Sequence, residues 1–362
     1  MTVDIRRELR LLGLVAAILA TYGAVVTGYA AANGQLALID PGIAGIILMI
    51  WAIALGFVLA AYAIDLLVRR RPARPLAVTA AELRAELLRP DRLVARATVV
   101  LGFMGMILFF TPFKVMIGHT QGFPHDAALA ALDRAAFGGV DPWRLTHALF
   151  GGAGGTFLLH SAYGLWFGVT WLAIIYAVLR PEKQRLRAQF LLAFLLSWII
   201  VGSFAAYFLA SAGPCYYERA FGDPQFRPLM ERLQAIDLQM KAWAPGLGIQ
   251  ALRVQDMLWN AFSARRELFG GGISAMPSMH VSVAVVLACA GWRLGRVAGG
   301  LLTLFAILIW IGSVHLGWHY ALDGVVALGL TLPIWRLCGW LVERVVLRDI
   351  APAPALAESL PG

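Results

Sequence analysis

Hydrophobic and polar positions do not alternate along this chain; they gather into long apolar runs separated by short polar or basic connections. Runs at about 11–31, 43–68, 97–117, 157–179, 190–209, 277–291, 297–314 and 320–341 predict about eight spans, at the roughly 20 residues a helix needs to cross a bilayer. The run at 277–291 reaches that length only if its helix extends past Gly291. The expected fold class is therefore all-α, a polytopic membrane helical bundle.

The connections give the direction. Arg6, Arg7 and Arg10 precede the first run, a block at 69–75 closes the second, a block at 180–187 closes the fourth, and Arg293 and Arg296 follow the sixth. Basic connections stay on the cytoplasmic side, which places both termini inside. The first run ends at Ala30-Ala31-Ala32 but exceeds the roughly 7–15-residue apolar stretch of a signal peptide, so an uncleaved span is expected. At 80–96 leucines at helical spacing face charges, predicting an amphipathic helix on the inner surface. The less apolar segments 118–156 and 213–272 read as external caps. Within them Asp141-Pro142-Trp143-Arg144 reads as a cap-forming turn, and the glycine cluster at 151–155 as a flexible or closely packed join.

Composition narrows the class. Of 362 residues 60% are hydrophobic and 14% charged, with a mean hydropathy of +0.74, which excludes an ordinary soluble domain. The net charge of +9 sits in the inner connections, so it reports topology and no nucleic-acid partner. Cys215, Cys289 and Cys338 have no redox or metal spacing. Trp143, Trp166 and Trp318 fit an interfacial aromatic belt.

Two polar motifs interrupt apolar sequence at the expected outer face, and ionisable groups in such places are functional candidates. The first is Gly270-Gly271-Gly272 followed by Pro277-Ser278-Met279-His280; the second is His315-Leu316-Gly317-Trp318-His319-Tyr320-Ala321-Leu322-Asp323. If the eighth helix begins near Trp318, His319 and Asp323 share one helical face, where the carboxylate orients the imidazole as a nucleophile. Pro277 suits a helix start, Gly271 and Gly272 let amides approach an anion, Ser278 adds a donor, and His280 is placed as general acid. Arg219, Arg227 or Lys114 supplies charge for a phosphate; a lysine at the end of a span also simply snorkels. His315, His319 and Asp323 have spacing compatible with a metal-dependent hydrolase, although Gly317 interrupts a continuous helix. His315 is otherwise a neighbour that tunes the site. A transporter or channel binding a lipid headgroup without chemistry is the rival from another class.

Ala275-Met276-Pro277-Ser278-Met279-His280 with His319-Tyr320-Ala321-Leu322-Asp323 resembles the second and third motifs of the type 2 phosphatidic acid phosphatase superfamily, and more narrowly its inositol phosphorylceramide synthase branch. The resemblance implies a six-helix core at 97–345, a two-span N-terminal addition with its amphipathic linker at 1–96, and a flexible tail at 346–362. It implies a phosphohistidine on His319, support from Asp323, acid catalysis by His280, and neither metal nor cofactor. The implied partners are a lipid substrate in the bilayer and an alcohol acceptor such as inositol; the distribution of basic connections gives an inner or plasma membrane with the site outward. Two elements depart from the superfamily pattern: no arginine follows Ser313 ahead of the nucleophile, and the first motif is not intact.

Overall fold

The computed structural model describes residues 3–42, 45–46, 48–49, 51–53, 56, 77–78, 81, 89–244, 246–265 and 271–348. Most of the expected second span, the basic block at 69–75, residues 80 and 82–88 of the amphipathic stretch, Gly270 and the tail beyond 348 lie outside the described residues. Among the described residues the fold is all-helical.

Helix α1 (Ile5–Ala32) is capped by Asp4, whose carboxylate accepts from Arg6 N at 2.9 Å. Helix α2 (Pro90–Gln121) starts seven residues earlier than its apolar run, because Pro90 occupies the first helical position, where its missing N–H costs nothing. Two short helices follow, α3 (Asp126–Ala136) and α4 (Pro142–Phe150), then α5 (Ala153–Leu179). Helix α6 (Gln184–Ile199) continues through a π turn at Ile200–Ala205. Helices α7 (Arg227–Trp243) and α8 (Gln250–Ser263) form the second cap. The chain closes with α9 (Met279–Leu294), α10 (Arg296–His315) and α11 (Ala321–Leu341).

Among the described residues six helices are long and apolar enough to cross a membrane, and the protein is an integral, multi-pass membrane protein. The expected sixth span is the shorter α9, which does extend past Gly291; its 16 residues reach about 24 Å, less than the roughly 30 Å of a hydrocarbon core. The expected cap segments carry amphipathic helices, α3 and α4 in the first and α7 and α8 in the second, whose apolar faces cover the bundle.

The starts of α9 and α11 and the ends of α2 and α10 lie at one end of the bundle: Ser278 N bonds Asp323 O, Gly272 packs on Lys114, and Ser313 O holds the His319 turn. Helix α1 runs parallel to α2, Tyr29 meeting Thr120 at that same end. The opposite end is tied together by charge. Arg187, expected in a basic connection, is instead buried in α6, where it pairs with the equally buried Glu8 of α1 and donates to Ala95 O at 2.9 Å. Gln184 Nε2 adds a bond to Glu8 at 2.7 Å, and Arg10 donates to Val346 O at 3.3 Å. Further along α1, the Tyr22 hydroxyl meets Ser203 Oγ at 2.7 Å inside the π turn. The first helix is thus fastened to the bundle at both levels.

Candidate active site

The turn between α10 and α11 is built on one carbonyl. Ser313 O accepts from Trp318 N at 3.0 Å and from His319 N at 3.2 Å, which folds His319 back over the end of α10. Helix α11 starts at Ala321, later than the sequence pattern suggests, so His319 precedes the helix. The His319–Asp323 pair therefore does not come from stacking on one helical face. Asp323, in the first turn of α11, reaches back as a capping side chain: its Oδ2 accepts from Tyr320 N at 3.1 Å and faces His319 Nδ1 at 3.0 Å. Asp323 is wholly buried. With Nδ1–H donated to the carboxylate, the lone pair of a neutral imidazole stands on Nε2.

The second motif meets the first through the backbone. Ser278 N donates to Asp323 O at 3.2 Å. Ser278 Oγ accepts from Val281 N at 3.4 Å and caps α9, and the amides of Met279 and His280 in the first turn have no intrahelical acceptor. His280 stands in that turn, its ring stacked on Tyr163 with centroids 4.5 Å apart and packed on Trp166 at 4.4 Å. Trp166 Nε1 also donates to His280 O at 2.9 Å. Trp166 and Trp143 are buried, and Trp318 lies parallel to Tyr163, so these tryptophans belong to the interior and not to a lipid-facing belt.

His280 lies within electrostatic reach of His319 and of Lys114 on α2. No carboxylate pairs with Lys114 among the described residues. Gly272, at φ +86°, brings its loop against the same turn: a Cβ there would lie 2.9 Å from the Lys114 carbonyl and from Val115 N. Gly271 is buried beside it. The other two basic candidates are engaged elsewhere, Arg219 with Asp256 and Arg227 with Glu218, all four side chains being exposed. The structure brings Lys114, Gly272, Ser278, His280, His319 and Asp323 together, and leaves Arg219 and Arg227 on the cap.

His315 turns away from this group. Its ring stacks on His147 at 3.8 Å, its Nε2 meets Thr156 Oγ1 at 3.0 Å, and its carbonyl accepts from His147 Nε2 at 2.9 Å. Burial holds the His147 imidazole below its ordinary range, against the opposing bond to the His315 carbonyl. Among the described residues no three His, Cys, Asp or Glu side chains are arranged to hold a metal ion.

Two residues of the site's surroundings escape a motif-based reading. Asp126 and Asp133 on α3 are buried carboxylates bonded to the backbone of elements that carry the site. Burial raises both above the usual carboxylate range, and the amides that donate to them oppose it. Their one sequence signal is a seven-residue spacing, which sets them two turns apart on one face together with buried Leu129 and Ala130.

Chemically, the cluster offers an oriented imidazole, a second imidazole within its electrostatic reach, an ammonium group and free helix-end amides. A family model for the PAP2 superfamily matches residues 127–337, which run from the second residue of α3 to near the end of α11 and take in every residue of the cluster except Lys114. No curated protein and no solved structure gives a match.

Proposed function

We propose that this chain, which belongs to the PAP2 superfamily, cleaves or transfers the phosphate ester of a membrane lipid through a covalent phosphohistidine. The observation that carries the reading is the 3.0 Å contact between His319 Nδ1 and Asp323 Oδ2 within electrostatic reach of His280. A pair of imidazoles of which one is oriented by a carboxylate suits a nucleophile and an acid.

In the first step His319 Nε2 attacks phosphorus: the P–N bond forms, the P–O bond to the leaving group breaks, and His280 gives its proton to the departing oxygen. In the second step the neutral His280 takes a proton from water or an alcohol. The resulting oxygen attacks phosphorus and the P–N bond breaks, returning His319 and releasing phosphate or a transferred ester. Lys114 and the amides of Met279 and His280 face the phosphoryl oxygens in this scheme, as preorganised charge does at such centres. Asp323 holds the imidazole in the tautomer whose Nε2 is free.

On this reading the site is on the outer face; in support, Arg6, Arg7, Arg10, Arg293, Arg296 and Arg344 lie towards the other end. The short α9 supports a recessed site at which a lipid phosphate enters from the side while its chains stay in the bilayer. An alcohol acceptor, inositol among them, makes the enzyme a transferase, of the inositolphosphotransferase kind when the group carried by His319 is phosphoinositol; water makes it a phosphatase.

The test is turnover of labelled phosphatidic acid and phosphatidylinositol by purified protein, with and without added inositol. The expected outcome is a phosphorus-containing product that disappears in His319→Asn. Undiminished turnover in that variant removes His319 as nucleophile.

A further inference from the structure

The recognised chemistry lies on α9 and α11, yet both motifs are held from outside by α3. Asp133 straddles the start of α11: Oδ2 accepts from Ala321 N at 2.8 Å and Oδ1 from Leu322 N at 2.9 Å. These are the first two helical amides, which have no acceptor within their own helix. They follow His319 by two and three residues, so the carboxylate fixes where the helix begins.

Asp126, two turns earlier on the same face, holds the facing segment. Its Oδ2 accepts from Ala212 N at 2.7 Å and its Oδ1 from Gly213 N at 2.9 Å. The same Oδ1 accepts from the Tyr320 hydroxyl at 2.8 Å, so Asp126 also touches the residue next to His319. Burial raises the Tyr320 phenol well above its ordinary range and keeps it a donor.

Segment 211–213 in turn positions the second motif. Ser211 O accepts from Ala275 N at 2.9 Å, and Ser211 Oγ accepts from Met276 N at 3.0 Å. Gly213, at φ +93°, packs so closely under the nucleophile turn that a Cβ would lie 2.5 Å from Trp318 O. One face of an eleven-residue cap helix therefore sets the spacing between the His280 segment and the His319 turn. Both carboxylates are compensated largely by backbone amides, which have fixed directions; a surface cap would not require two buried acids.

We propose that Asp126 and Asp133 are positioning residues that hold His319 and Asp323 in register with His280, a role that rests on the phosphotransfer reading above. Neither acid touches the reacting atoms; they act through the backbone that carries them.

The test uses the full-length protein in nanodiscs, with steady-state hydrolysis of phosphatidic acid and hydrogen exchange read by mass spectrometry. Asp133→Ala is expected to lower kcat by about a hundredfold, the scale of an ångström-sized misplacement, with KM changed less than threefold. Asp133→Asn keeps one acceptor for one of the two amides and is expected to lose about tenfold. Tyr320→Phe leaves both amide bonds of Asp126 and is expected to lose less than threefold. Exchange should accelerate at 321–322 in Asp133→Ala and at 212–213 in Asp126→Ala, with 281–290 still protected.

A kcat within threefold of wild type in both alanine variants overturns the proposal, as does exchange that accelerates uniformly through the bundle. If the wild-type protein turns over no lipid phosphate, the phosphotransfer reading fails by itself. The exchange pattern then still decides whether α3 holds the two segments.

Discussion

Gly272→Ala tests how tightly the loop ahead of α9 is pressed against α2. Two costs add in this variant. The backbone sits at φ +86°, where a residue with a Cβ pays about 1–2 kcal/mol. The added methyl would also lie 2.9 Å from Lys114 C, Lys114 O and Val115 N. These are helix backbone atoms, unable to swing aside as a side chain does, so the loop itself must retreat by a few tenths of an ångström. Overpacking of this kind costs about 1–3 kcal/mol, and the two together give about 2–5 kcal/mol.

The retreat separates Lys114 from the segment leading to His280. A displacement below 1 Å should lower kcat/KM by about ten- to a hundredfold. The assay is phosphatidic acid hydrolysis together with a thermal unfolding curve in detergent. Gly164→Ala on α5 is the control, since a Cβ there meets nothing within 4 Å and gains helix propensity. If Gly272→Ala keeps both its melting temperature and kcat/KM within twofold of wild type, the loop does not bear on α2 and the reasoning fails.

Other consequences follow from the same geometry. Lys114→Ala should raise KM for phosphatidic acid by tenfold or more, whereas Arg219→Ala and Arg227→Ala, whose residues have carboxylate partners on the cap, should change it less than threefold; steady-state kinetics on the three variants decides. Glu8→Gln leaves Arg187 buried without its anion and should cost about 3–5 kcal/mol, read as a lowered melting temperature, with the Glu8→Gln/Arg187→Met double variant recovering part of the loss. His147, held below its ordinary range by burial, gives stability that is fully present above about pH 6.5 and is lost as pH falls through its depressed folded-state value. The melting temperature of wild type should therefore fall on acidification below pH 6.5, and His147→Gln, which keeps a donor for the His315 carbonyl, should flatten that slope.

How much of this was legible in the residues depends on how local each feature is. The spans follow from apolar run length, a property of each segment alone, and their boundaries agree with α5, α10 and α11 within a few residues. The His319–Asp323 pair is legible as a spacing, but its cause is not. A four-residue separation suits helical stacking, while the chain uses a capping geometry whose helix begins at Ala321. The aromatic packing on His280 is invisible because Tyr163 and Trp166 lie over a hundred residues away on a helix with no motif of its own. Trp166 suits a lipid interface equally well by composition. The basic candidates could not be ranked from sequence, since Arg219 and Arg227 look available until Asp256 and Glu218 are seen beside them. Nothing in the sequence singles out Asp126 and Asp133 within the cap segment, because a carboxylate bonded to distant backbone amides leaves no trace in its own neighbourhood.

The proposed covalent step is open to direct measurement. Phosphatidic acid labelled with ³²P is mixed with the purified protein, quenched within milliseconds in alkaline denaturant, and digested for peptide mapping. The account predicts label that is stable to base and labile to acid, carried by the peptide containing His319, and absent from His319→Asn. Turnover of the lipid with no protein-bound label at any quench time, or label on a peptide lacking His319, would contradict it.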